Sequence, residues 1–189
     1  MYYLLILAFG IIFVMLFILI KRSDKRIENL INTDNHTLLL KKYDDIDRIM
    51  GEFLRVPDID RTSIMRSNST GADPRMGDDY IMSVIMSKGK KKEEIKETYK
   101  TAVISRDYAS MLIDLVEKKE GYYVVSKLNE GWLKETCRKN DTKEFLLFYL
   151  ASKRDEVIYG AVIGNFEGSI NNHREKINKI IKKLRNLYK

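Results

Sequence analysis

The chain of 189 residues holds a single cysteine, Cys137, and two histidines, His36 and His173, far apart in sequence. One cysteine excludes an intramolecular disulfide framework and any multi-cysteine zinc site, and it agrees with a reducing, cytoplasmic location. Histidines so widely separated offer no metal-ligand spacing, so no metal site is expected. Only two prolines occur, and there is no low-complexity tract or internal repeat, so most of the chain is expected to order into compact structure. Catalytic signatures are missing as well. The run "GADPRMG" (71–77) is not the GxxxxGK[ST] of a phosphate-cradling loop, and no nucleophile elbow, HExxH or kinase pattern appears. Asp78 and Asp79 lack the D-x-D-x-D-G spacing of a calcium loop and read as a solvated turn. The expectation is a non-enzymatic protein with no catalytic residue, no metal and no cofactor.

Apolar length is what the chain does have. From Met1 to Ile20 no side chain is charged or strongly polar. At about 1.5 Å per residue the run spans roughly 30 Å, the hydrocarbon thickness of a bilayer. A secretory signal would need a basic leading segment and a small-x-small cleavage site, and neither is present. Residues 1–20 therefore read as an uncleaved transmembrane helix, and 21–34 as a charged connector. Lys21, Arg22, Lys25 and Arg26 follow the run directly. By the positive-inside rule they place everything after them on the cytoplasmic face of the inner membrane, as a single-pass protein, and they suit contact with anionic lipid. Gly10 has no GxxxG partner, so this segment reads as a tether and not as a dimerising relay.

The net charge is +7. Beyond the connector it sits in "KGKKK" (88–92) and in a C-terminal helix bearing Arg174, Lys176, Lys179, Lys182, Lys183 and Arg185. Lys182 and Lys183 are candidates for contact with lipid or a partner. No stacking aromatics are interleaved with these cations, which argues against nucleic acid.

Periodicity orders the rest. Leu39, Tyr43, Ile46, Met50 and Phe53 step by 4, 3, 4 and 3 residues, predicting a helix over about 35–55 with one apolar face. Two heptads do not make a coiled coil, so the face serves either the domain's own sheet or a homodimer through helix 35–55. Strands are predicted over 61–68, 80–87, 121–128, 144–152 and 157–168, the fourth of them central. A helix is predicted over 107–118, a short one within 130–143, and an amphipathic one over 171–189 with Ile177, Ile180, Ile181, Leu184, Leu187 and Tyr188 inward. Strands that mostly follow one another favour a mixed antiparallel sheet flanked by helices, with the first and last helices side by side on one face.

With "DIDRTSIMRSN" as first strand, "YIMSVIMS" as its partner, and "EFLLFYLAS", "KRDE" and "VIYGAVIGNFEG" as closing hairpin, residues 35–189 resemble a GAF domain, the α/β sensory module related to PAS domains. The resemblance implies a fold in the α/β (α+β) class and a binding scaffold. It also implies what this chain does not do. The Asn-Lys…Phe…Asp-Glu pattern of cyclic-nucleotide-binding members is absent around Asn165 and Phe166. Cys137 is followed by Arg138 where bilin-binding members usually carry His. Members that reduce methionine sulfoxide use several cysteines.

The function expected is that of a membrane-anchored, non-enzymatic domain binding a small ligand or a partner protein. The alternative is a tethered scaffold that lacks a pocket and holds a partner or anionic lipid on its basic face. A pocket should lie between the sheet and segment 103–135, with Tyr108, Tyr122, Tyr123 and Trp132 as lining residues, because aromatics with a polar tip suit small-ligand sites. A polar-lined cavity of a few hundred Å³ would favour the ligand, and a solid core the scaffold. Basic neighbours of Cys137 (Lys134, Arg138 and Lys139) would lower its pKa.

Overall fold

A computed structural model describes residues 40–69, 80–99, 102–103, 106–153 and 156–189. The apolar run 1–20, the connector 21–34 with Lys21, Arg22, Lys25 and Arg26, and the turn-rich segment 70–79 lie outside them. Among the described residues no helix is long and apolar enough to cross a membrane. Asp45–Lys189 forms one unit, and of the other, Met1–Asp44, only residues 40–44 are described.

Helix α1 (40–53) ends before Pro57, which cannot donate a backbone hydrogen bond. The chain then runs through β1 (Ile59–Ser69), β2 (Tyr80–Gly89), α2 (Lys92–Thr98), β3 (Ala102–Val103), α3 (Arg106–Lys118) and β4 (Glu120–Val124). After one 3-10 turn (Val125–Lys127) come α4 (Trp132–Lys139), β5 (Glu144–Lys153), β6 (Glu156–Gly164), α5 (Ser169–Asn172) and α6 (Arg174–Leu187). The strands form one sheet in the order β3-β2-β1-β6-β5-β4, antiparallel at every pairing.

Because side chains alternate across a strand, each long strand feeds two cores. On one face Ile64, Leu146, Phe148 and Val162 pack against Ile46, Ile49, Met50 and Phe53 of α1 and Ile177, Ile180, Ile181 and Leu184 of α6. The first and last helices thus share this face, and Lys183 Nζ of α6 pairs with Glu52 of α1 at 2.6 Å. The apolar face over 46–53 is spent on the domain's own sheet. On the opposite face Met65, Phe145, Leu147, Tyr159, Ala161 and Ile163 pack against Tyr108, Met111, Leu112 and Leu115 of α3 and Leu133 and Cys137 of α4.

Several elements differ from those the periodicity predicts, among them the strand expected over 157–168, which ends at Gly164. The strand expected over 121–128 ends at Val124, where Val125 N–H donates to Lys143 O at 2.9 Å and the chain turns into a 3-10 helix. The last helix is interrupted at His173, so α5 and α6 are separate. β5 is interior, but the middle of the sheet is β1 and β6.

Candidate functional site

Between the sheet and α4 lies a cavity of about 60 Å³. Arg61, Ser63 and Met65 of β1, Phe145 and Leu147 of β5, and Ala161 and Ile163 of β6 form its floor. Each set steps by two residues, so one pleat places all of them on this face. The roof is Ile95 and Tyr99 from the α2 end, Tyr108 of α3, and Leu133, Cys137 and Asn140 from α4, with Thr142 just beyond it. Helix α4 is held down at both ends. Lys134, 7% exposed, donates to Leu128 O at 2.7 Å and pairs with Glu130 at 2.9 Å. At the other end Asn140 N–H donates to Thr136 O at 3.1 Å and Thr142 N–H to Cys137 O at 2.8 Å.

Arg61 is the unusual member. It is 2% exposed, and burial lowers its pKa against the opposing pull of Asp60. Its Nη2 donates to Asn140 O at 2.9 Å and to the Thr142 hydroxyl. Asn140 is the C-cap of α4, so the guanidinium also sits where a helix end is most negative. Its Nε is buried and has no acceptor.

The hydroxyls nearby are paired. Ser63 Oγ and Ser87 Oγ lie 3.0 Å apart, as do Tyr108 Oη and Tyr159 Oη. Burial raises the pKa of Tyr99, Tyr108 and Tyr159, keeping all three neutral. Cys137 departs from the expectation of a lowered pKa. Burial pushes its thiol up to about 12, with Arg61 pulling weakly the other way. The sequence neighbours Lys134 and Arg138 direct their charges to Glu130 instead. The folded chain favours the neutral thiol, and that contribution to stability is lost as pH climbs toward about 12. Iodoacetamide at pH 8 is therefore expected to alkylate Cys137 at least about 100-fold more slowly in native than in urea-unfolded protein. Equal rates measured by intact-mass spectrometry would contradict the burial.

The tyrosines and tryptophan named from the sequence part company here. Tyr108 lines the cavity. Tyr123 lies on the same side of the sheet, stacked on Phe145 at 5.2 Å, and lines a separate depression with Met111, Leu128 and Leu133. Trp132 stands behind the cavity wall, edge-on to Tyr99 at 6.1 Å. Tyr122 faces the α6 side, where its hydroxyl donates to the Glu144 carboxylate. Lys183 pairs with Glu52, and Lys182 is exposed on α6. Arg61, Asn140 and Thr142 were not singled out by sequence. They converge across 79 and 81 residues of chain, and no local pattern signals that.

No protein-family model matches the chain, and no curated protein matches it. Solved structures do. The chain is similar to the red-light-absorbing state of a red/green cyanobacteriochrome, with a TM-score of 0.50 and 10% identity over 78% of this chain and 91% of that one. It is also similar to the GAF domain of a two-component sensor histidine kinase from Bacillus halodurans, with a TM-score of 0.46 and 11% identity over 76% and 93% of the two chains. At such identity the likeness is one of fold. The likeness to the cyanobacteriochrome, together with the strand order and the two helical faces, gives this domain the same α/β fold as that protein.

Proposed function

We propose that this protein is a non-enzymatic sensory module, tethered to the cytoplasmic face of a membrane by residues 1–20, that binds a small ligand in the cavity beneath α4. The observation that carries the reading is the cavity itself: a partly open space at a sheet-helix interface with a buried cation, Arg61, among its lining residues. Its volume of about 60 Å³ is well below the few hundred that a nucleotide or tetrapyrrole needs. At about 10–15 Å³ per water position it suits a ligand of a few heavy atoms.

The scaffold reading has less to draw on. The basic tip is committed within the domain, Lys88 to Asp47 at 2.7 Å, Lys90 to Asp60 at 2.7 Å and Lys91 to Asp141. On α6, Arg174 and Arg185 share Glu120 at 2.6 and 3.3 Å, and Lys179 pairs with Glu175 at 2.7 Å.

One preparation tests both parts. The full chain should pellet with membranes through a high-salt wash and require detergent for release. Native mass spectrometry of the released protein should then show one small adduct per chain. Release by salt alone would count against the tether. A bare mass, with nothing recovered in an organic extract, would count against the ligand.

A further inference from the structure

We propose that the ligand of this cavity is a small monocarboxylate, held through its charge by Arg61; the inference rests on the ligand-binding reading above and names the ligand's class. Arg61 is buried and lines the cavity, and among the described residues no carboxylate lies within ion-pair distance of its guanidinium. Asp60, its sequence neighbour, is committed to Lys90 at 2.7 Å. Burying an unpaired guanidinium is costly, and proteins normally meet that cost with a partner anion. The contacts to Asn140 O and Thr142 account for Nη2, but Nε has no acceptor. An anion in the cavity would supply the missing countercharge, and a carboxylate is a compact anion that accepts charge-assisted hydrogen bonds from a guanidinium.

The rest of the wall limits what is attached to that carboxylate. Met65, Leu147 and Ala161 form an apolar floor, which favours a short alkyl or acyl tail over a hydrated inorganic ion. The volume of about 60 Å³ suits a tail of two or three carbons. Acetate is the simplest probe of this description, and acetamide is its neutral counterpart of the same shape.

The test uses the full chain in detergent, with binding followed by line broadening of 13C-labelled acetate and acetamide and by thermal unfolding at matched ionic strength. Acetate should bind roughly 10- to 100-fold more tightly than acetamide, the span expected for a charge-assisted hydrogen bond to a buried partner. Arg61→Met should abolish that preference. Because Arg61→Met can also weaken the fold, Ala161→Val serves as a second variant. It fills the cavity without touching Arg61, and it should remove acetate binding while the protein still unfolds cooperatively. Equal binding of acetate and acetamide to the wild-type chain would overturn the carboxylate and leave the pocket standing. Acetate binding that survives Ala161→Val would overturn the site. Binding of neither probe would overturn the inference, while the adduct sought by native mass spectrometry would still decide whether the cavity takes a ligand of another kind.

Discussion

Replacing Glu144 with leucine is expected to destabilise the domain by about 4 kcal/mol, which should lower Tm by roughly 10 °C in a chain of this size. Glu144 opens β5 and is 0% exposed. Its carboxylate accepts from Gly168 N–H at 2.7 Å, from Ile170 N–H at 2.6 Å and from the Tyr122 hydroxyl. The two backbone donors belong to the first turn of α5 and its N-cap, where a helix has amide groups with no partner of their own. Leucine would fill the space and leave three donors unmatched, the Ile170 N–H fully buried and the Gly168 N–H and Tyr122 hydroxyl half-buried, at about 1–3 kcal/mol for each one that water does not reach. Glutamine keeps one oxygen but turns an amide nitrogen toward a donor, so Glu144→Gln should cost about half as much. Paired register gives the site its shape. Glu144 stands opposite Gly164 on β6, and a Cβ at Gly164 would lie 2.6 Å from Glu144 Oε1. Urea unfolding followed by circular dichroism measures the difference. A loss below about 1 kcal/mol for Glu144→Leu would mean that water reaches those donors.

Glu144 also shows what the sequence discloses and what it hides. "EFLLFYLAS" is plainly a strand because its apolar run is continuous, and a strand buried on both faces needs no alternation. That same run hides a polar anchor at its first residue, which looks like the end of a charged loop. The two amphipathic helices were legible because their apolar spacing is regular, and Ile46, Met50, Phe53, Ile177, Ile181 and Leu184 all lie in one core. Tyr122 and Tyr123 mark a different case. Once 121–128 is read as a strand, neighbouring residues must face opposite ways, and the structure places one on each side of the sheet. Alternation was available in the sequence to separate them. Arg61 was not available in that way. In sequence it is one cation among 34 lysines and arginines, and what distinguishes it is burial beside the end of a helix 79 residues later. Charge counts register its presence, and only the fold registers that its Nε lacks a partner.

Gly160→Ala should be nearly as damaging as Glu144→Leu, costing about 3 kcal/mol although it adds one methyl group. Gly160 sits on β6 between Ile64 of β1 and Phe148 of β5. The Phe148 ring lies across it, and an added Cβ would fall 2.0 Å from Phe148 Cζ and 2.3 Å from Cε2. The ring has nowhere to retreat. It is 0% exposed, and the Phe53 ring of α1 lies 6.0 Å away, centroid to centroid. Accommodating alanine means driving Phe148 into α1 or parting β5 from β6, and cores at native packing density resist both. Phe148→Leu provides the control. Leucine removes the part of the ring that covers Gly160, so the double variant should lose less stability than the two single losses added together, by at least about 1 kcal/mol. Additive losses in urea melts would place the strain elsewhere. The outcome bears on the cavity as well. Phe148 faces α1 and α6, whereas its neighbour Leu147 floors the cavity. If Gly160→Ala parts β5 from β6, the shift should reach the opposite face through Leu147 and weaken acetate binding in the folded fraction. If the sheet stays intact and only α1 is displaced, acetate binding should be unchanged while stability falls, so the two faces of the sheet can be tested separately.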